Sequence, residues 1–236
     1  MSVIHSRLAV VALFLAASAY AFAGGEIARE SRPTSGFDRV VLHGVGDLII
    51  SQADTEALVI EAEKRLLPKI STEVKGGTLH FDFTEREIST RYPLRYHLTV
   101  KNLSGIESRG SGDIKASRLT AGTFEITMAG SGNASIDALS AKALTVNMPG
   151  AANVEIGDGS VATQSVTIKG SGDYTAPKLK TGKSSVQISG SGSAELWASD
   201  ALDVNIVGSG EVRYRGNPKV QRSVTGSGNV TRLAGY

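Results

Sequence analysis

The sequence contains no cysteine, and aromatic residues make up only 6% of its 236 positions. The absence of cysteine excludes disulfide bonds and a lipid-anchored cysteine behind a signal sequence. Structural zinc is not expected, because the chain has neither cysteine nor two histidines with the His-x-x-x-His spacing. After residue 23 no apolar run is long enough to span a membrane. The formal net charge of +2 indicates no particular partner class, and nucleic acid is not expected.

The first 23 residues have the features of a signal peptide. His5 and Arg7 form a short basic start, an apolar run covers residues 8–22, and Ala21-Phe22-Ala23 supplies a cleavage pattern of small residues. We therefore expect cleavage after Ala23 and export to the periplasm, the outer surface or the medium.

A repeat organises the second half of the chain. Gly-Ser-Gly recurs in four steps of 20 residues and then two of 18, when Gly150-Ala151-Ala152 is counted as a degenerate copy. A period of this size is typical of a solenoid, in which each repeat forms one rung of a coil. The intact copies begin at Gly110, Gly130, Gly170, Gly190, Gly208 and Gly226.

Apolar and polar residues alternate within each repeat, as in strands with one buried face. A second alternating stretch follows in each repeat, with Phe124, Ile126 and Met128 in the first. Each repeat thus holds two short strands, and rungs must stack because one rung alone cannot bury its apolar side chains. We predict an all-β, parallel β-solenoid resembling a β-helix, right-handed by the general crossover rule. Its first inward column is Ile114, Ala134, Val154, Tyr174 and Ala194.

The glycines are expected at corners, because a coil must turn at the same place in every rung and glycine takes a positive φ without strain. Stacked corners would set the motif serines about 4.8 Å apart, where their hydroxyls can hydrogen-bond along the column. Asp113, Asn133, Asn153 and Asp173 form another column of polar groups. A calcium-binding roll is the alternative for these four residues, but such rolls repeat about every nine residues. We interpret the column as a hydrogen-bonded ladder at the turns.

The first part of the domain is rich in strands but less regular. Gly44-Val45-Gly46 is a faint copy of the later corner, and the units around it are longer. We expect wider, less regular N-terminal strands that cap the solenoid. Residues 24–36 are predicted to form a flexible leader ahead of a single domain at 37–236.

The chain resembles the head GIN domain proteins, a family of putative auto-transporter adhesins and a domain of unknown function. The resemblance rests on the opening Phe37-Asp38-Arg39-Val40 strand, the Gly-Ser-Gly-Asp/Asn corners, and the closing runs at 212–218 and 226–228. It covers residues 37–236 and implies an exported bacterial β-helix-like domain. It supplies no binding residues to transfer. Gly150-Ala151-Ala152 departs from the pattern, so a local irregularity is expected there.

Two kinds of cofactor site compete with structural roles for particular residues. The run after Gly110 has Lys115 where a dinucleotide fingerprint has its third glycine, and no helix follows, so nucleotide binding is not expected. His80, Asp82, Arg95 and His97 would share one exposed face if their two strands paired, which leaves a surface metal site as an alternative. We predict no metal, no cofactor and no catalytic residue.

A carbohydrate-active enzyme on a β-helix scaffold is the alternative function. Such an enzyme needs carboxylates that converge in a groove, with aromatic platforms for the sugar. The outward columns are mostly Thr, Ser, Asn and Gln, as in Thr127, Asn147, Thr167, Gln187 and Asn205. Trp197 is the single tryptophan. The acidic residues are scattered over different repeat positions and do not line up, namely Glu125, Glu155, Glu195, Asp203 and Glu211. Catalysis is therefore not expected.

The last repeats carry a basic cluster of Arg213, Arg215, Lys219 and Arg222. Basic side chains, with Pro218 beside them, are a common way to keep a terminal strand edge from pairing with other chains. Binding of an anionic envelope polymer or lipid headgroups is the functional alternative. We expect an exported, non-catalytic module of the surface or envelope that binds in the manner of an adhesin. Its expected partner is an envelope glycan or another surface protein.

Overall fold

A computed structural model describes residues 26–85 and 87–234. The signal peptide predicted at 1–23 lies outside the described residues. Within these ranges the regular structure consists of strands and one 3₁₀ turn at Leu67–Lys69, and no helix is long and apolar enough to cross a membrane. The strands are β1 (Ile27–Arg32), β2 (Arg39–Leu42), β3 (Asp47–Gln52), β4 (Ala57–Glu63), β5 (Ile70–Lys75), β6 (Thr78–Phe83), β7 (Arg95–Val100), β8 (Gly105–Ser108), β9 (Ile114–Met128), β10 (Ala134–Met148), β11 (Val154–Gly170), β12 (Asp173–Ala176), β13 (Leu179–Gly190), β14 (Ser193–Trp197), β15 (Ala201–Gly208), β16 (Glu211–Arg215), β17 (Lys219–Gly226) and β18 (Asn229–Arg232).

Strands β9 to β18 form a parallel β-solenoid, as the repeat predicts. In β9, β10 and β11 residues pair with their counterparts 20 positions along the chain. Later rungs are divided into two strands, so that β12, β14, β16 and β18 stack on one side of the coil. Strands β13, β15 and β17 stack on another side. The expectation of two short strands in each rung is wrong for the first three rungs, where one continuous strand covers both stretches.

The predicted inward columns form the core. Ile114, Ala134, Val154, Tyr174 and Ala194 pair one above another in parallel strands, and each is at most 1% exposed. Burying a large apolar side chain contributes about 1.5–3 kcal/mol. The predicted column is confirmed. Because each rung contributes only a few such side chains, stability comes from stacking many rungs.

Close backbone packing explains more of the corner glycines than φ does. A Cβ added to Gly110 would lie 1.7 Å from the carbonyl oxygen of Gly44, and one added to Gly172 would lie 2.1 Å from that of Ala152. The contact between Gly110 and Gly44 also confirms Gly44-Val45-Gly46 as the first corner of the column. A positive φ occurs at the corner positions 170, 190, 208 and 226, but not at Gly110 or Gly172. The prediction that these corners turn through a positive φ is right for those four glycines and wrong for the other corner glycines, Gly110 and Gly172 among them.

The corner serines hydrogen-bond through their backbone amides. The N–H of Ser131 donates to Gly110 O at 3.0 Å, and the N–H of Ser209 donates to Gly190 O at 2.9 Å. Their hydroxyls are exposed, and no hydroxyl ladder joins the motif serines among the described residues. The predicted serine ladder is therefore wrong. Water can satisfy an exposed hydroxyl, whereas the amide between stacked rungs needs a protein partner.

The change in repeat length from 20 to 18 residues falls at the corner after Trp197. Leu196 still pairs with Ala176, but the N–H of Ser199 already donates to Thr181 O at 2.9 Å. The segment that connects the two stacks of strands is thus two residues shorter in this rung. The strands of both stacks remain paired with their counterparts in the neighbouring rungs.

A buried polar network lies beside this corner. Gln164, 3% exposed, donates from Nε2 to Ser184 Oγ at 3.0 Å and to the carbonyl oxygen of Trp197 at 3.3 Å. Its Oε1 accepts the hydroxyl of Tyr174 at 2.8 Å. Burial raises the pKa of Tyr174, so the phenol keeps the proton that it donates. The network pairs polar groups that would otherwise be buried without partners.

The N-terminal strands are wider and less regular, as predicted. β2 and β3 pair in parallel with β8 and β9 on one side and with β6 and β7 on the other. Beyond them β5 pairs antiparallel with β6, and β4 antiparallel with β7. These antiparallel strands end the parallel stack.

Part of the predicted flexible leader is a strand. Residues 27–32, inside the predicted leader at 24–36, form β1 and pair antiparallel with β4. Arg32 fixes its end by donating from Nη1 to Ile70 O at 2.6 Å and from Nη2 to Leu67 O at 2.7 Å. The prediction of a flexible leader is therefore wrong for this stretch, because an edge strand needs one partner strand and little apolar content of its own.

Candidate functional site

Strands β13, β15 and β17 stack on the second halves of β9, β10 and β11. The outward side of this stack is a polar surface, here called the polar face. Its side chains alternate with buried ones along β9, β10, β11, β13 and β15. The same phase continues onto β17, where no residue is buried, so two columns project from the sheet. Rungs lie about 4.8 Å apart, which sets the spacing within each column. One column is Glu125, Thr145, Ser165, Ser185, Asp203 and Gln221, and the other is Thr127, Asn147, Thr167, Gln187, Asn205 and Ser223.

The polar face has a depression of about 410 Å³ over its last three rungs. Val186 and Val204, which are buried, also line it, and Arg222 borders it. None of its six outward side chains makes a side-chain hydrogen bond to another described residue. Their hydroxyl, amide and carboxylate groups are therefore available to a ligand: Ser185, Gln187, Asp203, Asn205, Gln221 and Ser223.

The other end of the polar face is engaged within the protein. Glu125 accepts a hydrogen bond from Arg39 Nη2 at 2.8 Å and another from Asn147 Nδ2 at 3.4 Å. Arg39 belongs to β2, so this contact ties the first repeat to the N-terminal rungs. The depression is consequently the part of the polar face with the most free hydrogen-bonding groups.

The carboxylates are more ordered than the sequence suggested, but they do not converge. Glu125 and Asp203 share one outward column, and Glu155 and Glu195 share another. The prediction that they occupy unrelated positions is therefore wrong for these pairs. Stacking distance separates Glu125 from Asp203 by roughly 19 Å and Glu155 from Glu195 by roughly 10 Å. The depression itself contains a single carboxylate, that of Asp203.

The four basic residues predicted as a site fall into separate places. Arg213 and Arg215 project from the outer side of β16 toward Glu195, at 3.5 Å and 3.2 Å. Lys219 is exposed on the outward phase of β17, whereas Arg222 pairs with Val204 in a column that is inward in earlier rungs. The structure therefore brings together only the two arginines at Glu195.

The corner column of Asp and Asn is a hydrogen-bonded ladder, as predicted. Oδ1 of Asp113 accepts the backbone N–H of Asn133 at 2.9 Å, and Oδ1 of Asn133 accepts Nδ2 of Asn153 at 3.0 Å. The ladder continues through Asp173, whose Oδ1 accepts the hydroxyl of Ser193 at 2.6 Å. These oxygens are occupied by neighbouring rungs.

The histidine face considered from the sequence does not form. β6 pairs with β2 and β5, and β7 pairs with β3 and β4, so His80 and His97 lie in different stacks. His80 instead stacks on His43, with ring centroids 5.9 Å apart. In the described ranges no group of three or more His, Cys, Asp or Glu side chains could hold a metal ion.

The sequence alone identified one column of the depression but not the depression. Gln187 and Asn205 were recognisable as outward positions, whereas Ser185, Asp203 and Gln221 were not grouped with them. The repeat register could have identified them, because each lies two residues before a member of the recognised column in its own repeat.

Comparisons with known proteins agree on the fold. A family model described as "Putative auto-transporter adhesin, head GIN domain" matches residues 36–218. The chain is also similar to a crystal structure of a putative adhesin from Bacteroides fragilis, with a TM-score of 0.82, 23% identity, and coverage of 88% of this chain and 97% of that one. No curated protein matches the sequence.

Two structures from Parabacteroides distasonis carry different descriptions. One is a putative adhesin, with a TM-score of 0.70, 23% identity, and coverage of 89% of this chain and 98% of that one. The other is a putative lipid binding protein, with a TM-score of 0.66, 25% identity, and coverage of 88% and 97%. The shared feature of these neighbours is the fold.

Proposed function

The chain belongs to the head GIN domain family of putative auto-transporter adhesins, and from this premise we propose that it is an exported, non-catalytic binding module of the cell envelope. Its ligand is a hydroxylated polymer, an envelope glycan in the first instance, and its binding surface is the depression on the polar face. The observation that carries this proposal is the set of six outward polar side chains without side-chain hydrogen bonds inside the protein.

The chemistry of the depression favours a neutral polyhydroxylated ligand. Hydroxyl and amide groups both donate and accept hydrogen bonds, so they match sugar hydroxyls without requiring charge. The outer two rungs each offer two such groups, and the middle rung offers the amide of Asn205 beside the carboxylate of Asp203, which accepts hydrogen bonds. Successive rungs repeat these polar groups about 4.8 Å apart. A chain lying across the strands would therefore meet similar contacts at every rung, and several weak contacts add up to useful affinity.

The arrangement of carboxylates supports binding without catalysis. Acid–base cleavage of a glycosidic bond requires two carboxyl groups on either side of the bond, about 5–9.5 Å apart. Asp203 is the single carboxylate in the depression, and Glu195 on another side of the coil is held by Arg213 and Arg215. A carbohydrate-active enzyme is the alternative function that this arrangement disfavours.

The predicted signal peptide at 1–23 supports export, and an adhesin-type family supports a place on the surface or in the envelope. Localisation of a tagged full-length chain by cell fractionation tests this part of the proposal. We expect the processed protein in the periplasm, outer surface or medium. Retention of an unprocessed chain in the cytoplasm would refute export.

Binding is tested with protein beginning at Gly24 on a glycan array, on purified peptidoglycan and on anionic lipid vesicles. We expect glycan binding that weakens at least about tenfold when Asp203 and Asn205 are both changed to alanine, because two ligand hydrogen bonds are lost. Ser165→Ala with Thr167→Ala is the matched control, since these residues occupy the same two columns outside the depression. Binding to vesicles alone, or equal losses in the two double variants, would refute the proposed site.

A further inference from the structure

The C-terminal end of the solenoid is an open sheet edge. Among the described residues β17 pairs only with β15, and β18 only with β16. At the other end of the molecule the parallel stack is covered by antiparallel strands. The outer N–H and C=O groups of β17 and β18 therefore have no strand partner, and such an edge can receive an added strand.

The side chains of this open end differ from those of every earlier rung. Val220, Arg222 and Val224 pair with Leu202, Val204 and Ile206, which are all buried. In the other stack, Val230 and Arg232 pair with Val212 and Tyr214. Two core columns that are apolar up to this point therefore end in arginine. Val224, which would be covered in a longer stack, is 38% exposed.

The two terminal arginines lack compensating charge. Neither Arg222 nor Arg232 forms an ion pair or a side-chain hydrogen bond within the described residues, whereas Arg213 and Arg215 lie beside Glu195. An added strand with only apolar residues in this phase would bury Arg222 without a partner, which is costly. An added strand with a carboxylate opposite Arg222 would bury Val220 and Val224 and would also neutralise the charge of Arg222.

We propose that the open end is a docking site for an extended acidic segment of a partner protein, which adds to β17 as a further strand. Its alternating residues cover Val220 and Val224, and its carboxylate lies opposite Arg222. A second copy joined through the same edge fits less well. Pairing two β17 strands about a two-fold axis places core-phase residues against core-phase residues, so the two Arg222 side chains would lie opposite or diagonal to each other.

The test uses a peptide derived from the chain. Strand β15 already pairs with β17 in a defined register, with Val204 beside Arg222. A synthetic peptide with the sequence of residues 201–208 and the change Val204→Glu therefore carries the proposed pattern. The comparison peptides carry Val204→Lys or no change. A fourth peptide has the Glu change and N-methyl groups on alternate residues, which keep its charge and remove its strand hydrogen bonds.

Binding of the labelled peptides to the protein beginning at Gly24 is followed by fluorescence anisotropy. We expect the Glu peptide to bind at least about tenfold more tightly than the Lys peptide, and N-methylation to abolish the binding. Arg222→Glu in the protein should reverse the preference between the Glu and Lys peptides. This reversal also shows that the variant is folded. Lys142→Glu, at an exposed position in β10, makes the same charge change elsewhere and should leave the preference unaltered.

Three results would overturn the proposal. Equal binding of the N-methylated peptide would mean that charge alone attracts the ligand. An unchanged preference in Arg222→Glu would place the peptide elsewhere. Self-association of the protein in analytical ultracentrifugation that Arg222→Glu disrupts, with no peptide binding, would assign the edge to a second copy. Arg222 borders the depression, but the glycan site is tested separately through Asp203 and Asn205, so failure of the peptide experiments leaves the proposed glycan site untouched.

Discussion

Single residues at the corners decide how closely successive rungs approach. Gly172 has no positive φ, yet an added Cβ would lie 2.1 Å from the carbonyl oxygen of Ala152. The requirement for glycine at this position is therefore steric and depends on the neighbouring rung. The sequence shows that a glycine recurs at each corner, but the distance between stacked backbones is needed to explain why.

Gly172→Val should destabilise the domain by about 1–3 kcal/mol, because the rung must move away from Ala152. Gly122→Ala is the control, since an added Cβ there meets no atom within 4 Å, and its effect should stay within about 0.5 kcal/mol. Unfolding in urea measures both. Equal stabilities for the two variants would contradict close packing at the corner.

The Asn and Asp ladder stabilises the corners through side chains. Asn153 donates to Asn133 Oδ1 at 3.0 Å and accepts the N–H of Asp173 at 3.1 Å. Asn153→Ala should therefore lower the free energy of unfolding by about 1 kcal/mol, as expected for lost hydrogen bonds. Ser171→Ala removes an exposed hydroxyl with no protein partner and should change little. A larger loss in the serine variant would restore the serine ladder that the structure does not show.

At the scale of elements, the repeat register predicts the parallel strands, their inward columns and the first corner at Gly44. The N-terminal cap could not be predicted to the same extent, because antiparallel pairing of β1, β4 and β5 depends on partners distant in sequence. The sequence predicted a leader at residues 27–32 because they have little apolar content, and an edge strand needs few apolar residues. The polar network at Gln164 was also missed, since a single polar residue in an apolar column does not indicate which groups it will hydrogen-bond.

Gln164→Leu should destabilise the shortened rung by about 1–3 kcal/mol, because the carbonyl of Trp197 and the hydroxyl of Tyr174 lose their buried partner. Adding Tyr174→Phe to that variant should recover part of the loss, since the orphaned hydroxyl is removed. A double-mutant cycle from chemical unfolding measures the coupling. Additive losses would show that the two side chains do not act through one network.

The cap formed by β1, β4 and β7 should weaken in acid. Burial by itself raises the pKa of Glu61, but hydrogen bonds and charge from Arg29 and Arg95 lower the pKa below the ordinary 4.5. A lowered folded-state pKa means that the unfolded chain binds the proton more tightly, so this stabilisation is present above pH 4.5 and is lost as pH falls below it. Glu61→Gln should therefore be less stable than the parent at neutral pH, with a difference that shrinks in acid. Hydrogen exchange of β1 amides across this range measures it, and a difference independent of pH would contradict the ion-pair account.

At the scale of the whole molecule, the sequence predicted a binding solenoid but placed the candidate site at the basic end. The polar face escaped notice because its hydroxyl and amide groups are ordinary surface residues until the register brings three rungs around one depression. Charge was the more visible signal, yet Arg213 and Arg215 are largely engaged by Glu195. A depression is a property of shape, and shape depends on how the rungs twist and shorten.

Binding without turnover is the central claim, and one experiment on one preparation addresses it. Protein beginning at Gly24 is incubated with purified peptidoglycan and with the oligosaccharide that binds best on the array. Bound protein and new reducing or unsaturated sugar ends are then measured together. We predict saturable binding that Asp203→Ala with Asn205→Ala weakens, and no new sugar ends over long incubation. Release of sugar ends that stops in Glu195→Gln or Asp203→Asn would contradict the account and identify the protein as an enzyme.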